Sequence, residues 1–123
     1  MREVLRSKIH RAWVTEANPD YVGSIVIDEA LMEKVDMWDN EKVLVCDVDN
    51  GSRFETYVIP GERGRGDIAV QGAAARLTGE GHCLIIMSFE VTETPIEPKM
   101  ILVDEENRFA EYLEGVKHVE PVH

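Results

Sequence analysis

"KVLVCDVDNGSRFETYVI" (42–59) holds two runs rich in β-branched and aromatic residues on either side of Asp49-Asn50-Gly51. Residues that tolerate tight turns, flanked by strand formers on both sides, predict a β-hairpin. Working outward, "SKIHRAWV" (7–14), "SIVID" (24–28), "DIAVQ" (67–71), "CLIIMSFEV" (83–91) and "KMILVD" (99–104) read as further strands. One short helix is predicted over "EALMEKVDM" (29–37), with Asp28 as its cap and Leu31, Met32 and Val35 on one face. "GAAARL" (72–77) reads as a loop or one helical turn. Gly, Pro and charged residues separate these pieces at the spacing of a small barrel or sandwich, so the expected class is mainly all-β.

A chain of 123 residues, 44% hydrophobic and 30% charged, is expected to form a single domain, 1–123, around one core. No apolar run is long enough to span a bilayer, and "MREVLRSKIHR" (1–11) lacks the apolar centre of a signal peptide. Cys46 and Cys83 are too few for a disulfide framework and lack metal spacing, so both read as buried small hydrophobes in a reduced, cytoplasmic setting. A net charge of −11 argues against nucleic acid as a partner. The charge is uneven, however. Arg2, Arg6, Lys8 and Arg11 face only Glu3 within residues 1–14, which suits a small anion. The stretch 104–123 carries six acidic residues and two basic ones and reads as a solvated tail.

Several motif matches fail. Placing Gly51 at the invariant glycine of a calcium loop puts Cys46 and Val48 where oxygen ligands belong. "GERGRG" (61–66) has its glycines in the wrong order for a dinucleotide fingerprint. "NGS" (50–52) matches a glycosylation triplet but reads as a turn. His10, His82, His118 and His123 show no ligand spacing, and no metal site is expected.

"YVGSIVID" (21–28) poses a different question, because glycine and serine pack poorly inside a β run. Alone, Gly23-Ser24 reads as a turn or bulge. Its company changes the reading. "KIHRAWVTEANPDYVGS" (8–24), "NGSRFETYVIPGERG" (50–64) and "GAAARL" (72–77), continuing through "CLIIMSF" (83–89) to about residue 104, resemble the pyruvoyl-dependent aspartate 1-decarboxylase family in content and order.

The resemblance implies a six-stranded double-psi β-barrel with short helices, assembled as a homotetramer with active sites between neighbouring subunits. It implies conversion of L-aspartate to β-alanine and CO2 for pantothenate and coenzyme A synthesis, in the cytoplasm, without nucleic acid or membrane as partner. It also implies self-cleavage into 1–23 and 24–123, leaving a pyruvoyl group derived from Ser24. Whether a maturation factor assists is open.

The implied chemistry suits these residue types. Decarboxylation beside an amine needs an electron sink that ordinary side chains lack, hence a carbonyl cofactor. Ser24 would attack the Gly23 carbonyl, and elimination of the resulting ester followed by hydrolysis would leave the ketone. Glycine lets the hydroxyl approach and the backbone take unusual angles. Substrate then condenses with the ketone as a Schiff base. Arg53 is the candidate fork for one substrate carboxylate and Lys8 for the other. Tyr57 matches the family's proton donor.

Alternation along 52–59 puts Arg53 and Tyr57 on one face and Thr56, a family maturation and substrate residue, on the other. Gly72, Ala73 and Ala74 are candidates to offer backbone N–H groups, with His10, Tyr21 and Gln71 in support. The chain departs from the family at Gln71, commonly asparagine, at Cys46, where some members carry a large aromatic, and at Trp13, often small. The competing readings are a non-catalytic barrel that binds a ligand or partner, and a pyruvoyl enzyme for another amino acid.

Overall fold

The 42–59 segment folds as its pattern demands. The computed structural model describes residues 1–114, and in it strand β4 (Lys42–Asp47) pairs antiparallel with β5 (Arg53–Gly61), matching Val43 with Thr56 and Val45 with Phe54. Around this hairpin lie β1 (Arg2–Trp13), β2 (Glu16–Asn18), β3 (Ser24–Asp28), helix α1 (Glu29–Val35), β6 (Ile68–Gln71), a 3-10 helix (Gly72–Leu77), β7 (Cys83–Thr92), β8 (Lys99–Val103) and β9 (Phe109–Leu113). The strands form one sheet in the order β2-β6-β3-β5-β4-β7-β1-β8-β9. Three pairs run parallel: β1 with β8, β2 with β6, and β3 with β5. The architecture is all-β and barrel-like, as expected.

Alternation decides what the sheet encloses. Ile9, Ile25, Ile27, Val43, Val45, Phe54, Val58 and Ile86 point inward into one core, which Leu31, Met32 and Val35 of α1 also join. The opposite face carries Lys8, His10, Lys42, Leu44, Cys46, Arg53, Glu55 and Tyr57, all half-buried or exposed.

All seven expected strands are present. The helix stops two residues early, because Asp36 takes a left-handed φ of 59° and its N–H turns back to the carbonyls of Met32 and Glu33. Asp28 caps α1 through the Ala30 N–H as expected, and its carboxylate also accepts from Gly64 and Gly66. Two strands escaped the pattern, β2 and β9. The second corrects the reading of 104–123 as a solvated tail: Phe109–Leu113 pairs along β8, although its side chains stay largely exposed. Residues 115–123, with His118 and His123, lie outside the described part.

The turn before β9 is anchored by Asn107. Its Oδ1 accepts from Trp13 N at 2.7 Å, while Nδ2 donates to Trp13 O and Gly66 O, both at 2.8 Å. Cys83 is buried, as expected, and burial raises its thiol pKa. Cys46 corrects the other half of that reading, being only half-buried on the outer face. No helix among the described residues is long and apolar enough to cross a membrane.

Candidate active site

Ser24 opens β3 rather than interrupting it, and Gly23 lies just before the strand. Ser24 is 4% exposed although it shares the outer-facing set with Gln71, its partner across the β3–β6 ladder. Its hydroxyl donates to Gln71 Oε1 at 3.2 Å. The β3–β5 ladder begins at Ile25↔Val58, so one step back Ser24 stands beside Tyr57 on the same face. Tyr57 is 36% exposed, and its ring reaches the open side of the sheet.

The special backbone angle expected at Gly23 belongs instead to Gly72. Gly72 has φ +81°, and a Cβ there would lie 2.4 Å from Gly23 Cα and 2.8 Å from Gly23 N. Gly23 has no left-handed φ, and a Cβ on it would meet only Gln71 O, at 3.7 Å. Gly72 thus presses directly on the backbone N and Cα of Gly23, the residue before Ser24. The Tyr21 carbonyl borders the same point, while its ring is exposed. Ala73 and Ala74 follow on the 3-10 helix, exposed and half-buried respectively. Tyr21, Gly23, Ser24, Tyr57, Gln71 and Gly72 are therefore brought together.

Lys8 and His10 of β1 and Arg53 of β5 lie on the same outer face, three strand spacings apart. His10 pairs with Ile85, Ile85 with Cys46, and Cys46 with Arg53, giving one row across β1, β7, β4 and β5. Lys8 lies two residues from His10 along β1 and pairs with Met87. His10 Nδ1 is buried without a partner among the described residues. Burial, then the charges of Lys8 and Arg11, push its pKa below the ordinary imidazole value. Arg53 and Tyr57 are four residues apart, about 13 Å along an extended strand. Thr56 points to the opposite side, as alternation requires, and is half-buried.

The chain matches the family model described as "Aspartate decarboxylase" over residues 1–110. The chain belongs to the aspartate decarboxylase family. It is 53% identical over 121 residues to the aspartate 1-decarboxylase of Acetivibrio thermocellus, covering 95% of this chain and 96% of that one. It is 52% identical over 123 residues to the enzyme of the same name from Caldicellulosiruptor saccharolyticus, with 96% and 95% covered. The Bacillus cereus aspartate 1-decarboxylase is 50% identical over 120 residues, covering 94% of each chain. Family membership thus extends over these residues of the outer face and both glycines at the Ser24 bond.

Pattern reading passed over one set of residues beside this site. Asp47 Oδ2 accepts from Thr78 Oγ1 and faces His82 Nδ1, both at 2.7 Å. These residues are 31 and 35 positions from Asp47 in sequence, so no local spacing could have joined them.

Proposed function

We propose that this chain is a self-processing, pyruvoyl-dependent aspartate 1-decarboxylase that severs its own Gly23–Ser24 bond and converts L-aspartate to β-alanine and CO2, the step that supplies pantothenate synthesis. The observation that carries the reading is the buried Ser24 hydroxyl, held by Gln71 next to Gly23, whose Cα Gly72 backs without slack, in a chain of this family.

In maturation, Ser24 Oγ attacks the Gly23 carbonyl carbon. The amide nitrogen leaves protonated as the amine of residue 24, and the chain is linked through an ester. Loss of the Ser24 α-proton then expels the Gly23 carboxylate, giving dehydroalanine at residue 24, which water hydrolyses with release of ammonia. Gln71 Oε1 accepts the hydroxyl hydrogen and thereby fixes the direction of the Oγ lone pairs. The fit is good: the hydroxyl is desolvated, its one partner is neutral, and the amide of Gln71 can remain beside the new terminus.

The pyruvoyl ketone supplies the electron sink for the bond broken to CO2. The remaining work falls to the chain. Arg53 grips one substrate carboxylate through its planar fork, and Lys8 supplies charge for the other. Backbone N–H groups of Gly72, Ala73 and Ala74 orient the substrate, while Thr56, on the inner face of β5, stands away from it. Tyr57, beside Ser24, delivers a proton to the α-carbon once CO2 has left. His10, whose buried Nδ1 has no hydrogen-bond partner among the described residues, stands on the same face as Lys8.

Because Arg53 stands about 13 Å from Tyr57 along β5, and Lys8 and His10 lie on β1, three strands from it, we read the site as completed by a second copy. The assembly expected from the family resemblance is a homotetramer of processed subunits. Co-refolded hybrids of Ser24→Ala with Arg53→Ala should regain part of the activity that each variant lacks alone.

The deciding experiment is intact mass spectrometry with a turnover assay. Purified protein should resolve into 1–23 and a chain from residue 24 with a ketone-bearing terminus, and should make β-alanine from L-aspartate but no product from L-glutamate. Ser24→Ala should remain one chain and be inactive. A wild-type chain that stays whole under maturation conditions, or a Ser24→Ala chain cut at this bond, overturns the proposal.

A further inference from the structure

The 3-10 helix Gly72–Leu77 is fastened at both ends. Its first residue is wedged against Gly23. At the other end Thr78, the residue that closes it, donates to Asp47 Oδ2 at 2.7 Å, and Asn50 Nδ2 donates to the Leu77 carbonyl at 3.0 Å. Asp47 has no exposed side-chain surface. Its Oδ1 accepts the N–H groups of Asp49 at 2.8 Å and Asn50 at 3.2 Å, while Oδ2 also faces His82 Nδ1.

Asp47, Asp49 and His82 bring possible ligand atoms within 4.8 Å of one another. A carboxylate has about four lone-pair directions, and Asp47 has committed them all to protein partners. It acts as a strut and not as a cation ligand. The same residue shapes the turn that launches Arg53, because Asp47 N donates to Ser52 O at 2.8 Å and Gly51 N donates to Asp47 O at 2.9 Å.

We infer that Asp47 and Thr78 are positioning residues: they set where the substrate-orienting segment Gly72–Ala74 stands against Gly23 and Ser24. This rests on the function proposed above. A 3-10 helix of six residues is only about 12 Å long and has little give. With Gly72 already in contact with Gly23, a shift at Thr78 is passed along the helix to Gly72–Ala74 instead of being absorbed. Among the described residues the Thr78 side chain hydrogen-bonds Asp47 and none of the candidate substrate-binding residues.

The test compares Thr78→Val, which keeps the shape and removes the hydroxyl, with Thr78→Ser, which restores it. On matured protein, Thr78→Val should raise KM for L-aspartate by roughly three- to thirtyfold with a smaller change in kcat, since misplaced binding groups act at a distance. Its backbone amides should exchange faster through 72–74 as well as at 77–78. Thr78→Ser should return both readouts to within about twofold of wild type, as its hydroxyl restores the bond.

Wild-type KM and exchange in Thr78→Val, equal impairment in Thr78→Ser, or faster exchange confined to 77–78 would each overturn the inference. Should Thr78→Val not fold, Thr78→Ala carries the same test, because it too removes the hydroxyl that donates to Asp47. If the wild-type chain neither cleaves nor decarboxylates aspartate, the proposed function fails, and the exchange comparison still decides the strut.

Discussion

Gly72 leaves no room for a side chain against Gly23: a Cβ on Gly72 would sit 2.4 Å from Gly23 Cα, while a Cβ on Gly23 itself would meet nothing closer than 3.7 Å. The two glycines are therefore unequal. Gly72→Ala should destabilise the chain by about 1–3 kcal/mol, from the left-handed angle alone, and displace the Ser24 bond. Gly23→Ala should fold at least as stably as wild type, since it costs no contact and restricts the unfolded chain. Thermal melts of the two variants check this, and a Gly72→Ala melt identical to wild type contradicts it.

Arg53 is exposed on the outer face and makes no ion pair among the described residues. Arg53→Lys should therefore leave the melting temperature unchanged and act only on substrate. Loss of a forked, charge-assisted contact is worth about 1.5–3 kcal/mol, so kcat/KM should fall by roughly ten- to a hundredfold. Unchanged kcat/KM in fully cleaved protein removes Arg53 from the site.

Tyr57 tests whether maturation and turnover are separable. Tyr57→Phe keeps the ring on its strand and deletes only the hydroxyl. Mass spectrometry should still find 1–23 and 24–123, while β-alanine formation slows by roughly 10²–10⁴-fold. Near-normal turnover would assign the proton to water or another group, and an uncut chain would move Tyr57 into maturation.

The pair His82–Asp47 makes stability depend on pH in a defined direction. The hydrogen bond to Asp47 raises the His82 pKa against the opposing effect of burial. Burial pushes Asp47 up, but bonds from His82, Thr78 and the N–H groups of Asp49 and Asn50 outweigh it and hold the carboxyl below its usual value. A raised imidazole stabilises fully below its unfolded value, about 6.5, and loses this as pH rises through the folded one. A lowered carboxyl stabilises above its unfolded value, about 3.9, and loses this as pH falls through the folded one. The pair's contribution should be complete between about pH 4 and 6.5 and fade above. Melting temperatures of wild type and His82→Gln should differ more near pH 5.5 than near pH 8.5, and an equal difference at both rules out the pair.

What the sequence revealed was local. The 42–59 hairpin, β3 and the buried stripe of α1 were legible because alternation and helical spacing act over a few residues. The shared face of Arg53 and Tyr57 followed from the same alternation. β9 was hidden because Phe109, Glu111 and Tyr112 stay exposed, so its charge pattern matched a solvated segment although it pairs with β8. The pressure of Gly72 on Gly23 and the meeting of Asp47 with His82 were invisible for another reason. Each joins residues more than thirty positions apart, and contact across a barrel leaves no periodic trace.

β1 lies between β7 and β8, with Ile9 and Ala12 fully buried and the Trp13 backbone gripped by Asn107. A cut after Gly23 would leave this interior strand on a peptide of its own. The two pieces would then be a complex in the physical sense, held by the same ladders that earlier joined parts of one molecule. Uncut protein can rebuild its sheet by a first-order search. The cut form must bring two molecules together, so its recovery from denaturant should slow on dilution while that of Ser24→Ala, up to the folded subunit, should not.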